Sequence, residues 1–200
     1  MRLAALLAAA HLAVATLAAG PAAAGIGPGV AAAAIEQTTR PGVYDPAYVV
    51  IGYPMGDVAE GRGVCSDVVI RALRTQGIDL QRLVHEDMKA NFSAYPKRWG
   101  LKRPDRNIDH RRVPILEVFF TRQGWRRAPG RDGADYLPSD LVTWNLKGEA
   151  GYLPHIGVVT ARTGSSGRPL IAHNIGAGPK VEDVLFDWTI TGQFRPHKEQ

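Results

Sequence analysis

Cys65 is the only cysteine in this chain of 200 residues. A lone thiol can form no internal disulfide, so it is packed away, cross-linked to another chain or used as a nucleophile. The residues around it favour the last. Positions 65, 68, 69, 72 and 73 are apolar, the i, i+3, i+4, i+7, i+8 rhythm of a helix face. A thiol at a helix start meets unpaired N–H groups and the positive end of the helix dipole, which stabilise a thiolate and a tetrahedral oxyanion alike. Gly61 and Gly63 just before it let backbone and substrate approach closely. The competing reading is a buried core cysteine, because position 65 also fits the apolar rhythm.

A cysteine nucleophile needs a base and a group that orients the base. Of six histidines, His11 lies in the N-terminal leader, His197 in the tail, His85 in an expected helix and His110 in a charged loop. His155 and His173 stand on expected strands 18 residues apart, a hairpin's length. Adjacent strands would set them side by side on one sheet face, where a hydrogen bond fixes the tautomer of His155. Zinc competes for the same side chains. The chain has no His-x-x-x-His or Cys-x-x-Cys pair and no glutamate placed as in metallopeptidase helices, so no metal and no cofactor is expected.

The elements that must position these groups are legible in outline. Tyr48 to Tyr53 has the β-branched and aromatic content of a strand. A helix over Cys65–Arg74 has Ser66 and Asp67 as cap and first-turn residues and Gly77 as its stop. A second helix is expected over Leu80–Ala94 with Asp79 as N-cap, and a third over Val113–Gln123 with Pro114 in its first turn. Tyr95–Arg112 reads as a charged loop. Strands are expected at Asp140–Trp144, His155–Thr160, Leu170–Asn174 and Phe186–Phe194. Helices first and an antiparallel meander after is the order of an α+β fold.

The chain's ends and composition bound its setting. Arg2, a charge-free apolar run from Leu3 to Ala19 and the small residues Ala22-Ala23-Ala24 read as a signal peptide over residues 1–24. The run is short and alanine-rich for a permanent span, so no transmembrane anchor is expected in the mature form, which would be periplasmic or secreted. Residues 25–43, rich in Gly, Ala and Pro, read as a flexible linker, and 44–200 as a single domain acting as a monomer. Net charge is +5, but residues 97–131 hold eleven basic against three acidic residues. Such a surface attracts polyanions. For an exported protein that means acidic envelope polymer before nucleic acid, which is not an expected partner.

A resemblance sharpens this reading. The helix-borne Cys65, the stretch Leu137-Pro138-Ser139-Asp140-Leu141-Val142-Thr143-Trp144, then His155-Ile156-Gly157-Val158-Val159 and Ile171-Ala172-His173 follow the order found in NlpC-type papain-like cysteine peptidases. More specifically, Gly63–Arg71, Leu83–Met88, Asn107–Pro114, Leu153–Gly157, His173–Gly176 and Glu182–Trp188 resemble hallmarks of the domain-of-unknown-function family numbered 1287, over about residues 44 to 195. The resemblance implies a papain-like domain, N-terminal helices packed on a C-terminal antiparallel sheet, that hydrolyses or transfers at amide bonds. The substrate it implies is peptidoglycan or another amide-containing envelope material. It implies Cys65 as nucleophile, His155 as base and His173, or its neighbour Asn174, as the orienting third member. Tyr53 stands where many such peptidases place a tyrosine, as possible support. Asp109, His110, Arg111 and Arg112 fall in a family hallmark outside the triad and either bind a substrate carboxylate or order the loop through salt bridges. The chain departs from the peptidase pattern at Val64, where an acid usually precedes the cysteine, and at Ser66-Asp67 in place of Ser-Gly. The expectation is an exported cysteine amidase or peptidase working through an acyl-enzyme. Its rivals are acyl transfer or cleavage of a non-wall amide at the same site, and a non-catalytic envelope-binding module using the basic 97–131 surface.

Overall fold

The computed structural model describes residues 27–197. The expected signal peptide lies outside them. The first element is a helix, α1 (Gly29–Gln37), which buries Val30, Ala31 and Ala34. Ser139 ties its start to the sheet, its hydroxyl accepting from the amide of Ala31 at 3.0 Å and donating to the carbonyl of Gly27 at 2.8 Å. Part of the stretch read as a flexible linker is therefore a helix that packs on the folded core. Its alanines carry little hydrophobic signal, but their small side chains let a helix lie close against its neighbours.

Two short strands, β1 (Val43–Tyr44) and β2 (Arg62–Gly63), pair in parallel with Tyr44 opposite Gly63. The strand expected at 48–53 does not form. Side chains hold that segment instead: the amide of Ile51 donates to Asn107 Oδ1, and the Tyr48 hydroxyl donates to Asp105 at 3.1 Å. Tyr48, Val49 and Val50 stay exposed, with no strand beside them to supply a ladder.

Helix α2 (Cys65–Arg74) has the expected bounds, with a different cap. Val64 is the N-cap, and Asp67, three residues on, reaches back to accept from the Val64 amide at 2.6 Å. This leaves Ser66 free to donate to the carbonyl of Arg111 at 2.8 Å. Gly63 sits at φ +154, and a Cβ there would stand 2.8 Å from Asp67 Oδ2, so only glycine fits the approach to this helix. Helix α3 (Leu80–Ala90) is capped by Asp79, whose carboxylate accepts from the amides of Gln81 and Arg82. It stops earlier than expected and gives way to a 3-10 turn at Phe92–Ala94. Helix α4 (Val113–Arg122) carries Pro114 in its first turn as read from sequence.

The rest is a six-stranded sheet of β3 (Arg126–Arg127), β4 (Leu141–Asn145), β5 (Pro154–Thr163), β6 (Pro169–Asn174), β7 (Pro179–Glu182) and β8 (Thr189–Phe194). Its order is β3-β8-β4-β5-β6-β7, antiparallel throughout. β4, β5 and β6 form the expected meander, β7 extends it where no strand was expected, and the expected last strand, β8, returns to the far side of β4. Asp140 locks that return, its carboxylate buried and paired with Arg195 at 2.7 and 2.8 Å.

Strand alternation gives the sheet two cores. Leu141, Ile156, Val158, Ala172 and Phe194 pack with the helices. Val142, Trp144, Val159 and Ile171 pack on the other face with Leu185, Val184, Phe186 and Trp188. Each large side chain buried this way contributes on the order of 1.5–3 kcal/mol. The molecule is α+β, helices on one face of an antiparallel sheet. Among the described residues, no helix is long and apolar enough to cross a membrane.

Candidate active site

Cys65 is 5% exposed and belongs to the helix-side core. Its sulfur lies against the backbone amide of Ile156 on β5 and against the amides of Ser66 and Cys65 at the helix start. These N–H groups favour a thiolate, as the sequence suggested. Burial opposes them and wins, and with the nearby Asp67 carboxylate it pushes the thiol up to about 11. At neutral pH the sulfur is therefore a protonated thiol, not the ionised one that a helix start alone would give.

Ile156, whose amide the thiol meets, is the residue after His155. The hydrogen bond that His155 makes is to His173, Nε2 to Nδ1 at 2.8 Å. His173 continues the string through Nε2 to Glu182 Oε2, also at 2.8 Å. The strand registers explain the contact. Val158 opposes Ala172 on β5 and β6, which makes 155 and 173 a diagonal pair on one face, and His173 opposes Lys180 on β7. Gly157 clears the space: a Cβ there would meet Ile171 at 2.6 Å and the Cβ of His173 at 3.2 Å.

The imidazole pair is walled by aromatics. Trp188 stands 5.9 Å from the ring of His155 and 6.2 Å from that of His173, and Trp144 stands 5.9 Å from His155. Burial, and then the neighbouring His173, hold His155 down at about 3. His173 is lowered by burial too, against the pull of its bond to Glu182. Both imidazoles are thus neutral near pH 7, the form in which a ring can accept a proton. Alternation sets this pair toward the Trp144 side of the sheet and Cys65 toward the helices. The Cys65 sulfur and the His155 ring therefore lie on opposite sides of β5, with no hydrogen bond between them.

Other expected residues fall out differently. Asn174 turns to the helix side and donates from Nδ2 to the carbonyl of Gly63 at 3.1 Å, so His173 is the residue joined to His155. Tyr53 does not join the thiol. Its ring packs edge-on against His85 at 5.4 Å, with Arg106 over it. The tyrosine beside Cys65 is Tyr44, held next to Gly63 by the β1–β2 pair. Burial and the nearby Cys65 and Asp67 push its hydroxyl up to about 12. The strand pattern at 48–53 drew attention to the wrong tyrosine. Tyr44 follows a lone Val43, and no periodicity marks it.

Arg111 spends its guanidinium internally, in a two-point pair with Asp67 at 2.9 Å for each bond, both side chains buried. Asp109 accepts from the Asp105 amide and from Arg112, whose guanidinium also lies 4.4 Å over the Trp99 ring. His110 is buried, its Nδ1 without a partner, and burial lowers it to about 4. Of the two roles weighed for this loop, ordering through salt bridges is what its arginines perform. Arg122 is likewise paired, with Asp87 at 2.7 Å, so the basic 97–131 stretch carries less free charge than its composition indicates.

A cleft of about 720 Å³ opens beside the α2 start, lined among others by Arg40, Arg62, Val64, Asp67, Arg71 and Asn174. Glu182 and Trp188 fall in a family hallmark, but only the β6–β7 register and the fold of the chain after it bring them to the histidines.

A family model described as "Domain of unknown function (DUF1287)" matches residues 31–196. A relative from Escherichia coli (strain K12), named "Uncharacterized protein YijF", is 57% identical over 152 residues, covering 76% of this chain and 73% of its own.

Proposed function

This chain belongs to the family of the domain of unknown function DUF1287, and from that premise we propose that it is an exported cysteine hydrolase that cleaves an amide bond in peptidoglycan peptides through an acyl-enzyme on Cys65. The observation that carries the proposal is the thiol set at a helix start against the amide of Ile156, the residue that follows His155, whose ring begins the hydrogen-bonded string His155–His173–Glu182. A helix-borne cysteine packed against the strand that carries His155 supports a papain-like, NlpC-type reading of the α+β architecture. The apolar run before residue 24 supports a periplasmic or secreted setting.

In this mechanism both partners start neutral. The mechanism requires substrate binding to bring the sulfur and the His155 imidazole together from opposite sides of β5. The thiol passes its proton to His155 as the sulfur attacks the carbonyl carbon, and the amides at the α2 start take up the oxyanion charge. His155, now an imidazolium stabilised through His173 by Glu182, protonates the leaving amine. It then draws a proton from water, which attacks the acyl-enzyme and releases the acid and free thiol. His173 orients the base, and Tyr44 flanks the sulfur.

The test is chromatography with mass spectrometry of peptidoglycan incubated with wild type, Cys65→Ala and His155→Ala. Wild type releases peptide fragments, and each variant loses release by a factor of 10³ or more, roughly the size expected when a nucleophile or its base is removed. A fully active Cys65→Ala protein sinks the mechanism.

A further inference from the structure

The proton positions in the histidine string follow from the group at its end. His173 is fully buried, and both of its ring nitrogens are engaged, Nδ1 with His155 and Nε2 with Glu182. Lys180 Nζ lies 2.9 Å from Glu182 Oε1 and keeps the carboxyl ionised. A carboxylate only accepts hydrogen bonds, so Nε2 of His173 must carry a proton. A neutral imidazole carries one proton, so Nδ1 of His173 is bare and must accept. The proton between the rings therefore sits on Nε2 of His155. Neutral His155 is then bare at Nδ1, the one ring nitrogen with no partner inside the string.

We infer that Glu182 is a positioning residue that sets the tautomer of both histidines, leaving the lone pair of His155 on Nδ1, the atom that takes the thiol proton. This rests on the reading of His155 as base, and it adds a fourth member to the expected set of three. When Nδ1 accepts the proton, Nε2–H keeps donating to His173 and the new positive charge lies two hydrogen bonds from the Glu182 carboxylate. Reversal of the string would put a proton on Nδ1 and leave no lone pair there to take the thiol proton. A carboxylate at the far end forbids that reversal and a neutral group permits it.

Long-range proton–nitrogen correlation spectra of ¹⁵N-labelled protein near neutral pH report each histidine's tautomer without needing turnover. In wild type, both His155 and His173 should be protonated at Nε2 and bare at Nδ1. In Glu182→Gln, whose carboxamide can donate as readily as accept, Nδ1-protonated forms should emerge at both histidines. The kcat for peptidoglycan should fall with KM unchanged. In Glu182→Leu the single tautomer is also lost, and if that variant fails to fold, the isosteric Gln variant and wild type decide. A wild-type His155 protonated at Nδ1, or wild-type tautomers persisting in Glu182→Gln, overturns the inference. The predicted tautomers in a protein that leaves peptidoglycan uncut would defeat the hydrolase reading and leave standing only the tautomer control by Glu182.

Discussion

Cys65 feels opposing influences of different size. Three backbone N–H groups pull its pKa down, while burial pushes it up and prevails at about 11. Alkylation by iodoacetamide should therefore run slower than for a free thiol at pH 7 and climb steeply between pH 9 and 11, which a rate–pH profile would show. A fast neutral-pH reaction would mean a preformed ion pair and a different resting state. The same shift has a stability consequence. The folded protein holds the thiol proton more tightly than the unfolded chain, so this stabilisation is complete below pH 9 and is lost as pH rises through about 11. Across that window wild type should lose up to about 1.4 kcal/mol per pH unit relative to Cys65→Ala. At this scale the sequence was most informative where function demands uniqueness: a single cysteine, and two histidines one hairpin apart. It left a role open where that role depends on a partner far away in the chain. Arg111 could bind a substrate carboxylate or order its loop, and only folding reveals Asp67 beneath it.

Among the elements, α2 was legible to the residue because five apolar positions share one face. Helix α1 was not, because a helix made largely of alanine buries its face without advertising it. Its role in the core is testable. A chain beginning at residue 38 should lose cooperative thermal unfolding or become insoluble, whereas removal of a tether would leave the melting curve unchanged. The start of α2 depends on the Arg111–Asp67 pair, in which Asp67 also caps Val64. Arg111→Ala strands a buried carboxylate and should cost roughly 3–5 kcal/mol in urea unfolding. The β6–β7 hairpin, which delivers Glu182 to His173, was missed because Pro179–Glu182 is short and half-buried with no alternation.

For the whole molecule, buried neutral histidines set the acid limit. His155, held at about 3, and His110, held at about 4, must both charge when the chain unfolds in acid. Their folded pKa values lie below the ordinary 6.5, so their contribution is present above pH 6.5. It is lost as pH falls toward 4 and then 3. Chemical denaturation between pH 7 and 4 should show declining stability, with a shallower decline in His110→Phe. A flat profile would place these rings in water. The α+β class was legible from the order of helices and strands. The division into two cores was not, since it depends on which face of each strand meets the helices.

The shelter around the sulfur has an effect on the protein's durability. Ionised sulfur attacks peroxide and small disulfides, and a protonated thiol 5% open to solvent reacts with them little. An unpaired cysteine is a hazard in oxidising surroundings, yet this one should survive storage in air with its thiol titre intact. It should turn oxidisable only once denaturant loosens the packing between helix and sheet.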